Sequence, residues 1–360
     1  MLVPVVVRGP EESPLPESWR LEDSLQIVHH DFYQTFVQYY SLWLRKAWAW
    51  RRRVDDLVRE HDLVVLRHPS PMIGLIGRSA ARCSKPFVIL LVGDIAAQSD
   101  RILGSAGLKR VLYRMALRWW VYLEKRWCRR ASLIYVYSSE LATRHLDSQL
   151  KVKRMRTPHL SAEDFVYRQE TCQDEEIRLL RVCWMVPSKG LECLLRTVAL
   201  LVGRGLPIRL DLVGKERVPG YQASLERLAR SLGIGNCVEF CGWIPFDRLQ
   251  EKYSQSDIQV ISSLAEGTPR VILEGAARGL PLVSTNVGGI PDAVRDGYDG
   301  VLVPPGEPAS LADGIENVIK DSLMCRQLIE GGYRSAREAS FDRVGMKFLA
   351  DLQSLVSEGA

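Results

Sequence analysis

The sequence predicts an α/β protein built from two doubly wound, Rossmann-like domains. Three observations carry that expectation: apolar strands alternate with helical segments, the alternation occurs in both halves, and the chain has 360 residues. That length suits two domains of about 100–200 residues, each with its own core. In the second half an apolar strand predicted at Leu179–Met185 leads to a helix from about Lys189 to Val202. The strand Ile208–Val213 ends at Gly214, before a helix predicted over Tyr221–Leu232. A strand at Val238–Cys241 and a short helix from Phe246 to Tyr253 follow. A strand at Asp257–Ser262, a helix carrying Glu274, a strand at Leu282–Thr285 and a helix after Glu307 complete the series. Such spacing implies parallel sheets, which bind ligands at the carboxyl ends of their strands.

The first half alternates too, with strands predicted at Val5–Arg8, Leu63–Arg67, Phe87–Val92 and Leu133–Tyr137. A long helix is predicted from about Ala106 to Arg130. The domain boundary is expected near 160, giving domains 1–160 and 161–340. A terminal helix, with apolar spacing from about Phe341 to Val356, lies in 341–360. The polar run Gln169–Glu176 reads as a loop that lets the domains move.

Apolar content of 46% and charged content of 25% are those of an ordinary soluble globular protein. No apolar run approaches the ~18–20 residues that span a bilayer. The opening MLVPVVVRGPEE lacks the basic start and long apolar core of a signal peptide. The eight cysteines form no CxxC pair, which fits reduced, buried thiols in the cytoplasm rather than a structural zinc. The net charge of +5 conceals an asymmetry. Residues 1–160 carry 26 Lys/Arg against 15 Asp/Glu and seven of the nine tryptophans, whereas the remainder carries 22 against 28. One basic, Trp-rich domain is therefore expected to meet an anionic surface.

The stretch SSLAEGTPRVILEGAARGLPLVSTNVGG is the most informative. Glu266 precedes Gly-Thr-Pro, and Glu274 lies on a helix that Pro269 is suited to open. Free N–H groups at a helix start favour anions. Two carboxylates flanking such a seat suit a sugar–diphosphate–ribose ligand, although paired glutamates on a solvated helix face are the commoner outcome. The surroundings decide. Strand, E-G-x-P, helix, G-x-P (Gly279, Pro281) and V-G-G (Val287–Gly289) follow in order. This order resembles the retaining glycosyltransferases of family 4, from about Arg178 to Gly300 and more weakly over most of the chain.

The resemblance implies the GT-B fold, two Rossmann-like doubly wound domains facing a central cleft. The terminal helix would then return to the first domain, and His159–Phe165 would correspond to the interdomain hinge. It also implies a hexosyltransferase-type enzyme of polysaccharide biosynthesis, with a nucleotide-diphosphate sugar as donor substrate and a glycan or lipid-linked acceptor. No cofactor, no metal ion and no nucleic acid are expected. A family member normally opens with a strand and a glycine-rich loop leaning over the donor phosphates, whereas this chain starts at what reads as the second strand.

Residue by residue, the resemblance places Lys189 on the basic residue that neutralises the donor diphosphate, where it can stabilise charge building on the leaving group. Glu274 matches the acceptor of the ribose hydroxyls, and Glu266 the carboxylate nearest the donor sugar. Gly267 and Thr268 would offer backbone N–H groups. Trp243 and Ile244 correspond to the loop bordering the nucleobase; Trp243 either stacks on the base or packs in the core. Gly288 and Gly289 read as turn residues. Cys183-Trp184 stands where the family has Gly-Arg, so a second phosphate-binding cation is missing, with Arg270 or Arg181 as substitutes. Asp94 replaces a frequent histidine and is either a sugar or acceptor contact or a helix cap. No general base stands out. His29, His30, His61, His68 and His145 have no metal spacing.

Two other readings stand beside this one: a non-catalytic nucleotide-sugar-binding relative serving as a partner subunit, and a sugar-nucleotide epimerase on the same fold. In the long helix, Leu108, Val111, Leu112, Met115, Trp119 and Tyr122 form one stripe, with Arg110, Arg114, Arg118 and Lys125 beside it. That pattern fits a core-packed helix with a wet basic face. With Trp43, Lys46, Trp48, Trp50 and Arg51–Arg53 nearby, it equally fits peripheral attachment to an anionic membrane at its cytoplasmic face.

Overall fold

The computed structural model describes residues 2–3, 26–27, 51–70, 72–92, 108–137, 143, 150–155 and 160–358. Two compact units emerge, Met1–Met155 with Lys347–Ala360, and Arg156–Met346.

The first unit holds a parallel sheet of six strands, in the order β2-β1-β3-β4-β5-β6. They are β1 Leu2–Val3, β2 Gln26–Ile27, β3 Val64–His68, β4 Phe87–Leu91, β5 Leu133–Val136 and β6 Val152–Arg154. The strand predicted at Val5–Arg8 lies outside the described residues, as do Asp94, His29, His30, His145 and His159. The others shift by a residue at most. Apolar runs such as Phe87–Leu91 are buried on both faces, as expected of inner parallel strands.

On the Leu108–Cys128 helix the described part of the predicted stripe does not pack in the core. The buried face of the helix is Trp120, Glu124 and Trp127, while Met115, Trp119 and Tyr122 are exposed. Gly77, on the Ile73–Arg82 helix, fixes that phase. A Cβ there would lie 2.4 Å from the Trp127 ring, so only glycine admits the indole. A second fastening is polar. His68, fully buried on β3, accepts the Ser70 N–H at Nδ1 (3.1 Å), so its Nε2 donates to Glu124 Oε2 at 2.7 Å. A buried histidine bonded at both nitrogens is a structural element. On the terminal helix, Phe341–Glu358, Asp351 accepts bonds from Lys153 Nζ (2.6 Å) and the Tyr135 hydroxyl, and Phe348 packs edge-on to Tyr135.

The second unit is a doubly wound sheet, ordered β12-β11-β10-β7-β8-β9 and parallel throughout. Its strands are β7 Ile177–Val182, β8 Ile208–Val213, β9 Val238–Gly242, β10 Ile258–Ile261, β11 Leu282–Thr285 and β12 Val301–Val303. From β7 the chain winds outward through β8 and β9, then restarts at β10 on the other side. That reversal makes the carboxyl ends of β7 and β10 the topological switch point, where such sheets open a crevice. Leu179, Leu210, Val260 and Val283 form the buried centre, covered by Leu194, Val198, Leu225, Leu311 and Ile315.

The predicted β7 runs three residues too far, because Met185 leaves the strand to bridge Glu216. The segment after residue 160 is fastened to this unit. Ser161 and Asp164 form a reciprocal cap, and Arg168 donates to the carbonyls of Arg278, Ser254 and Ser256. Asp257 takes the N–H groups of Cys172 and Arg178, both at 2.8 Å. At the β8–β9 edge, ligand atoms of Asp211, Glu239 and Cys241 lie within 4.8 Å of one another. Lys252 pairs with both carboxylates there and Arg209 with Glu239. With these pairings the cluster reads as an ion-pair network, and burial, then the neighbouring Asp211 charge, pushes the Cys241 thiol up to about 11.

Candidate functional site

The loops that leave β7 and β10 meet at the switch point. A 3₁₀ turn at Pro187–Lys189 ends on Gly190, whose φ of +62° is left-handed; a Cβ there would sit 2.0 Å from the Ser262 carbonyl oxygen. Glycine is thus what lets the turn seat against the end of β10. The Ser262 hydroxyl donates to the Lys189 carbonyl (3.0 Å), and the Leu264 N–H to the Ser188 carbonyl (2.8 Å). So tied, Lys189 Nζ reaches Glu266 Oε1 at 2.6 Å.

The same carboxylate oxygen accepts the Ser263 hydroxyl at 2.8 Å. Arg181, 1% exposed on β7, donates to Ser263 Oγ at 2.7 Å and lies 3.9 Å from Glu266 Oε1. Glu266, with its side chain 9% exposed, is therefore clamped at one oxygen by two cations and a hydroxyl. Among the described residues no hydrogen bond engages Oε2. Charge-assisted bonds of this kind hold a carboxylate rigidly.

The V-G-G turn braces the other side. Gly288, at φ +55°, would place a Cβ 1.9 Å from the Glu266 carbonyl oxygen, and Gly289 N–H donates to the Gly267 carbonyl at 3.1 Å. Gly267 faces open space and Thr268 is exposed, so neither is absorbed into packing.

The helix carrying Glu274 is Val271–Ala277, capped at Arg270. Pro269 does not open it, since the helical backbone begins one residue later. The N–H groups of Ile272, Leu273 and Glu274 are taken by Pro269 and Arg270 carbonyls, which removes most of the predicted anion seat. The close approach of this helix to β10 depends on Gly275: a Cβ would lie 2.3 Å from Gln259 Oε1, while Gln259 Nε2 donates to the Val271 carbonyl at 2.6 Å. Glu274 Oε2 accepts the Tyr253 hydroxyl at 3.0 Å. Burial, then the Glu274 charge, pushes the Tyr253 phenol upward, so it stays a donor.

Trp243 is 68% exposed, which removes its core-packing alternative. Ile244 packs against the cluster of Leu180, Val213, Tyr253 and Leu280. Arg270 is exposed, whereas Arg181 stands inside the Glu266 cluster. Trp184 is exposed and carries the Arg217 guanidinium on its ring at 3.9 Å. Ser263, Tyr253 and Arg217 were not anticipated. Only Ser263 left a signal, as one of two serines closing an apolar strand.

Residues 176–321 match the family Glycosyl transferases group 1, a span that contains Lys189, Glu266 and Glu274. A D-inositol 3-phosphate glycosyltransferase of Geodermatophilus obscurus is 34% identical over 167 residues, 45% of this chain and 36% of that relative. An uncharacterized glycosyltransferase of Methanocaldococcus jannaschii is 33% identical over 149 residues, 41% and 37% of the two chains. A D-inositol 3-phosphate glycosyltransferase of Acidothermus cellulolyticus is 27% identical over 271 residues, 70% and 56% respectively. The matches thus span from 36% to 56% of these curated relatives' lengths.

Among solved structures, Anabaena HepE in complex with UDP has a TM-score of 0.64 at 20% identity, covering 84% of this chain and 82% of that one. A glycosyltransferase from Rickettsia africae has a TM-score of 0.64 at 14% identity, covering 92% and 85%. The fold is that of the GT-B glycosyltransferases, α/β with two parallel Rossmann-like sheets, and residues 176–321 match the group 1 glycosyltransferase family.

Proposed function

We propose that the protein is a retaining, metal-independent glycosyltransferase of family 4 that moves a sugar from a nucleotide-diphosphate donor to a glycan or lipid-linked acceptor. The observation that carries this reading is the clamped Glu266 at the switch point, beside Lys189, with Glu274 held by Tyr253 one helix away. In the proposed division of labour, Glu266 accepts from donor-sugar hydroxyls and Glu274 from the ribose. Lys189 would shift part of its charge from Glu266 to the leaving diphosphate, and Gly267 and Thr268 would give backbone N–H groups to sugar and phosphate. Trp243 is assigned to the base. Ile244, which supports that loop from beneath, takes a positioning role. Asp94 keeps its proposed place as a donor-sugar or acceptor contact.

The curated relatives carry glycosyltransferase names, and the HepE structures are described as complexes with UDP and with UDP-glucose. Both support a nucleotide-sugar ligand here. We assign donor binding to residues 161–340 and acceptor binding to residues 1–160. The test is a thermal-shift panel of nucleotide sugars in chelator and in magnesium, with transfer to candidate acceptors followed by NMR of the new anomeric centre. One donor should raise the melting temperature equally in both buffers, and Glu266→Gln should abolish transfer. A panel with no shift, or a shift that vanishes in chelator, overturns the proposal as written.

We further propose that the first unit meets an anionic membrane through the Leu108–Cys128 helix. Met115, Trp119 and Tyr122 project at i, i+4 and i+7 and are all more than half exposed, with Arg118, Lys125 and Arg126 exposed beside them. Apolar rings flanked by cations suit the interface of an acidic bilayer. A lipid-linked acceptor would be reached from that surface. No helix among the described residues is long and apolar enough to cross a membrane.

A further inference from the structure

We propose that Arg217, carried on the face of Trp184, supplies the second positive charge for the donor diphosphate. The inference rests on the nucleotide-sugar reading of this site and names a residue for it.

Strands β7 and β8 are parallel neighbours in register from Ile177↔Ile208 to Val182↔Val213, so the loops that follow them leave the sheet at the same end. Those loops stay joined beyond the strands. Cys183 N–H donates to the Val213 carbonyl (2.9 Å), Met185 N–H to the Lys215 carbonyl (3.0 Å), and Arg217 N–H to the Met185 carbonyl (3.2 Å). Gly214, at φ +139°, permits this approach, since a Cβ would stand 1.7 Å from the Cys183 carbonyl oxygen. Met185, 1% exposed, anchors the pair from below. The result is a short two-loop ledge, with Trp184 45% exposed and the Arg217 guanidinium carbon 3.9 Å above its ring centre. That ledge continues directly into the Pro187–Lys189 turn, which holds Lys189 on Glu266.

Charge accounting selects Arg217. The Lys189 ammonium is already paired with Glu266 at 2.6 Å. Arg181 is buried, bonded to Ser263, and 3.9 Å from the same carboxylate. A diphosphate entering beside this cluster meets little uncommitted positive charge from either. Among the described residues, the Arg217 guanidinium has no carboxylate partner within ion-pair distance and rests on the aromatic face. Stacking engages the flat face of a guanidinium and leaves its N–H donors, which lie in the plane, free to point outward. A planar fork held flat against a ring, with donors unspent, matches paired phosphate oxygens in a way that an ammonium does not.

Calorimetric titration of the full chain with UDP, GDP and ADP, and with the matching monophosphate and nucleoside of the tightest, tests this. Arg217→Ala should weaken the diphosphate at least tenfold, the monophosphate less, and the nucleoside not at all. Arg217→Lys should recover only part of the loss, because lysine keeps the charge but not the fork. Trp184→Ala should fall between the wild type and Arg217→Ala, by releasing the guanidinium from its platform. Both side chains are exposed, so melting temperatures should stay unchanged and folding does not confuse the readout. Unaltered diphosphate affinity in Arg217→Ala, or an equal loss for the nucleoside, overturns the assignment while leaving the donor site intact. A wild-type chain that binds none of the nucleotides overturns the donor-site reading and this inference with it.

Discussion

Glu274 holds Tyr253 and, in the proposed function, the ribose, and different substitutions separate the two. Its carboxylate accepts the hydroxyl of Tyr253, which is 1% exposed. Glu274→Ala should weaken nucleotide binding by about 1.5–3 kcal/mol, the scale of hydrogen bonds to a charged group. It should also leave a buried phenol without an acceptor, at a further cost of about 1–3 kcal/mol in stability. Glu274→Gln keeps an acceptor for Tyr253, so its melting temperature should stay near the wild type while nucleotide affinity still falls. Titration calorimetry and thermal melts on both variants check this; a Gln variant that binds nucleotide as the wild type does would leave Glu274 as Tyr253's partner alone. Lys189, Glu266 and Glu274 could be singled out in the sequence because the E-x7-E frame stands in a strand, E-G-x-P, helix order that resembles a known family, and the structure brings Lys189 to Glu266. Tyr253 could not be, since its contact with Glu274 exists only once the helix packs onto β10 through Gly275. Arg217 was hidden for the same reason, because parallel pairing of β7 with β8, not sequence distance, brings it to Trp184.

Elements were easier to read than their edges and faces. Every strand predicted in the second unit is present, yet β7 ends at Val182 because Met185 pairs sideways with the next loop. The Leu108–Cys128 helix has two apolar faces, one with Met115, Trp119 and Tyr122 and one with Trp120, Leu123 and Trp127. Helical periodicity has no means of choosing between them; a glycine notch on a different helix chooses. The terminal helix shows what fixes such an element electrostatically. Burial acts upward on the Asp351 carboxyl, but the bonds from Lys153 and Tyr135 outweigh it and hold it below its ordinary 3.8. A depressed carboxyl stabilises the fold fully above the unfolded value and loses that contribution as pH falls through the folded one. Asp351→Asn should therefore cost about 1 kcal/mol at pH 7, discounted because Lys153 is half exposed. The wild-type advantage should be complete well above the ordinary 3.8 and be lost as falling pH protonates the carboxyl below it, as followed by urea melts of both chains. A difference that stays constant with pH would make the contribution one of packing, through Phe348 against Tyr135.

At the scale of the whole molecule, charge is divided between the halves. Residues 1–160 carry 26 basic against 15 acidic side chains, and the rest 22 against 28. Such a split matters little for folding and much for where the protein goes, since a basic face is drawn to acidic surfaces over about a Debye length. Long-range attraction alone would be non-specific; on the proposed membrane reading, the exposed Met115, Trp119 and Tyr122 would add apolar insertion at one place in the first unit. Each lysine or arginine near an acidic bilayer contributes about 1 kcal/mol. Arg118→Gln with Lys125→Gln should thus lower partitioning to phosphatidylserine vesicles by roughly thirtyfold, about 2 kcal/mol. Trp119→Ala should reduce binding to acidic vesicles at any salt concentration, because it removes the part of the attraction that salt does not screen. Vesicle co-sedimentation at 50 and 300 mM salt, against neutral phosphatidylcholine, separates the two contributions. Wild-type binding should favour the acidic lipid and weaken with salt. Equal partitioning to both lipids, or a Trp119→Ala variant as tightly bound as the wild type, would leave the helix a scaffold element whose outer face meets only water.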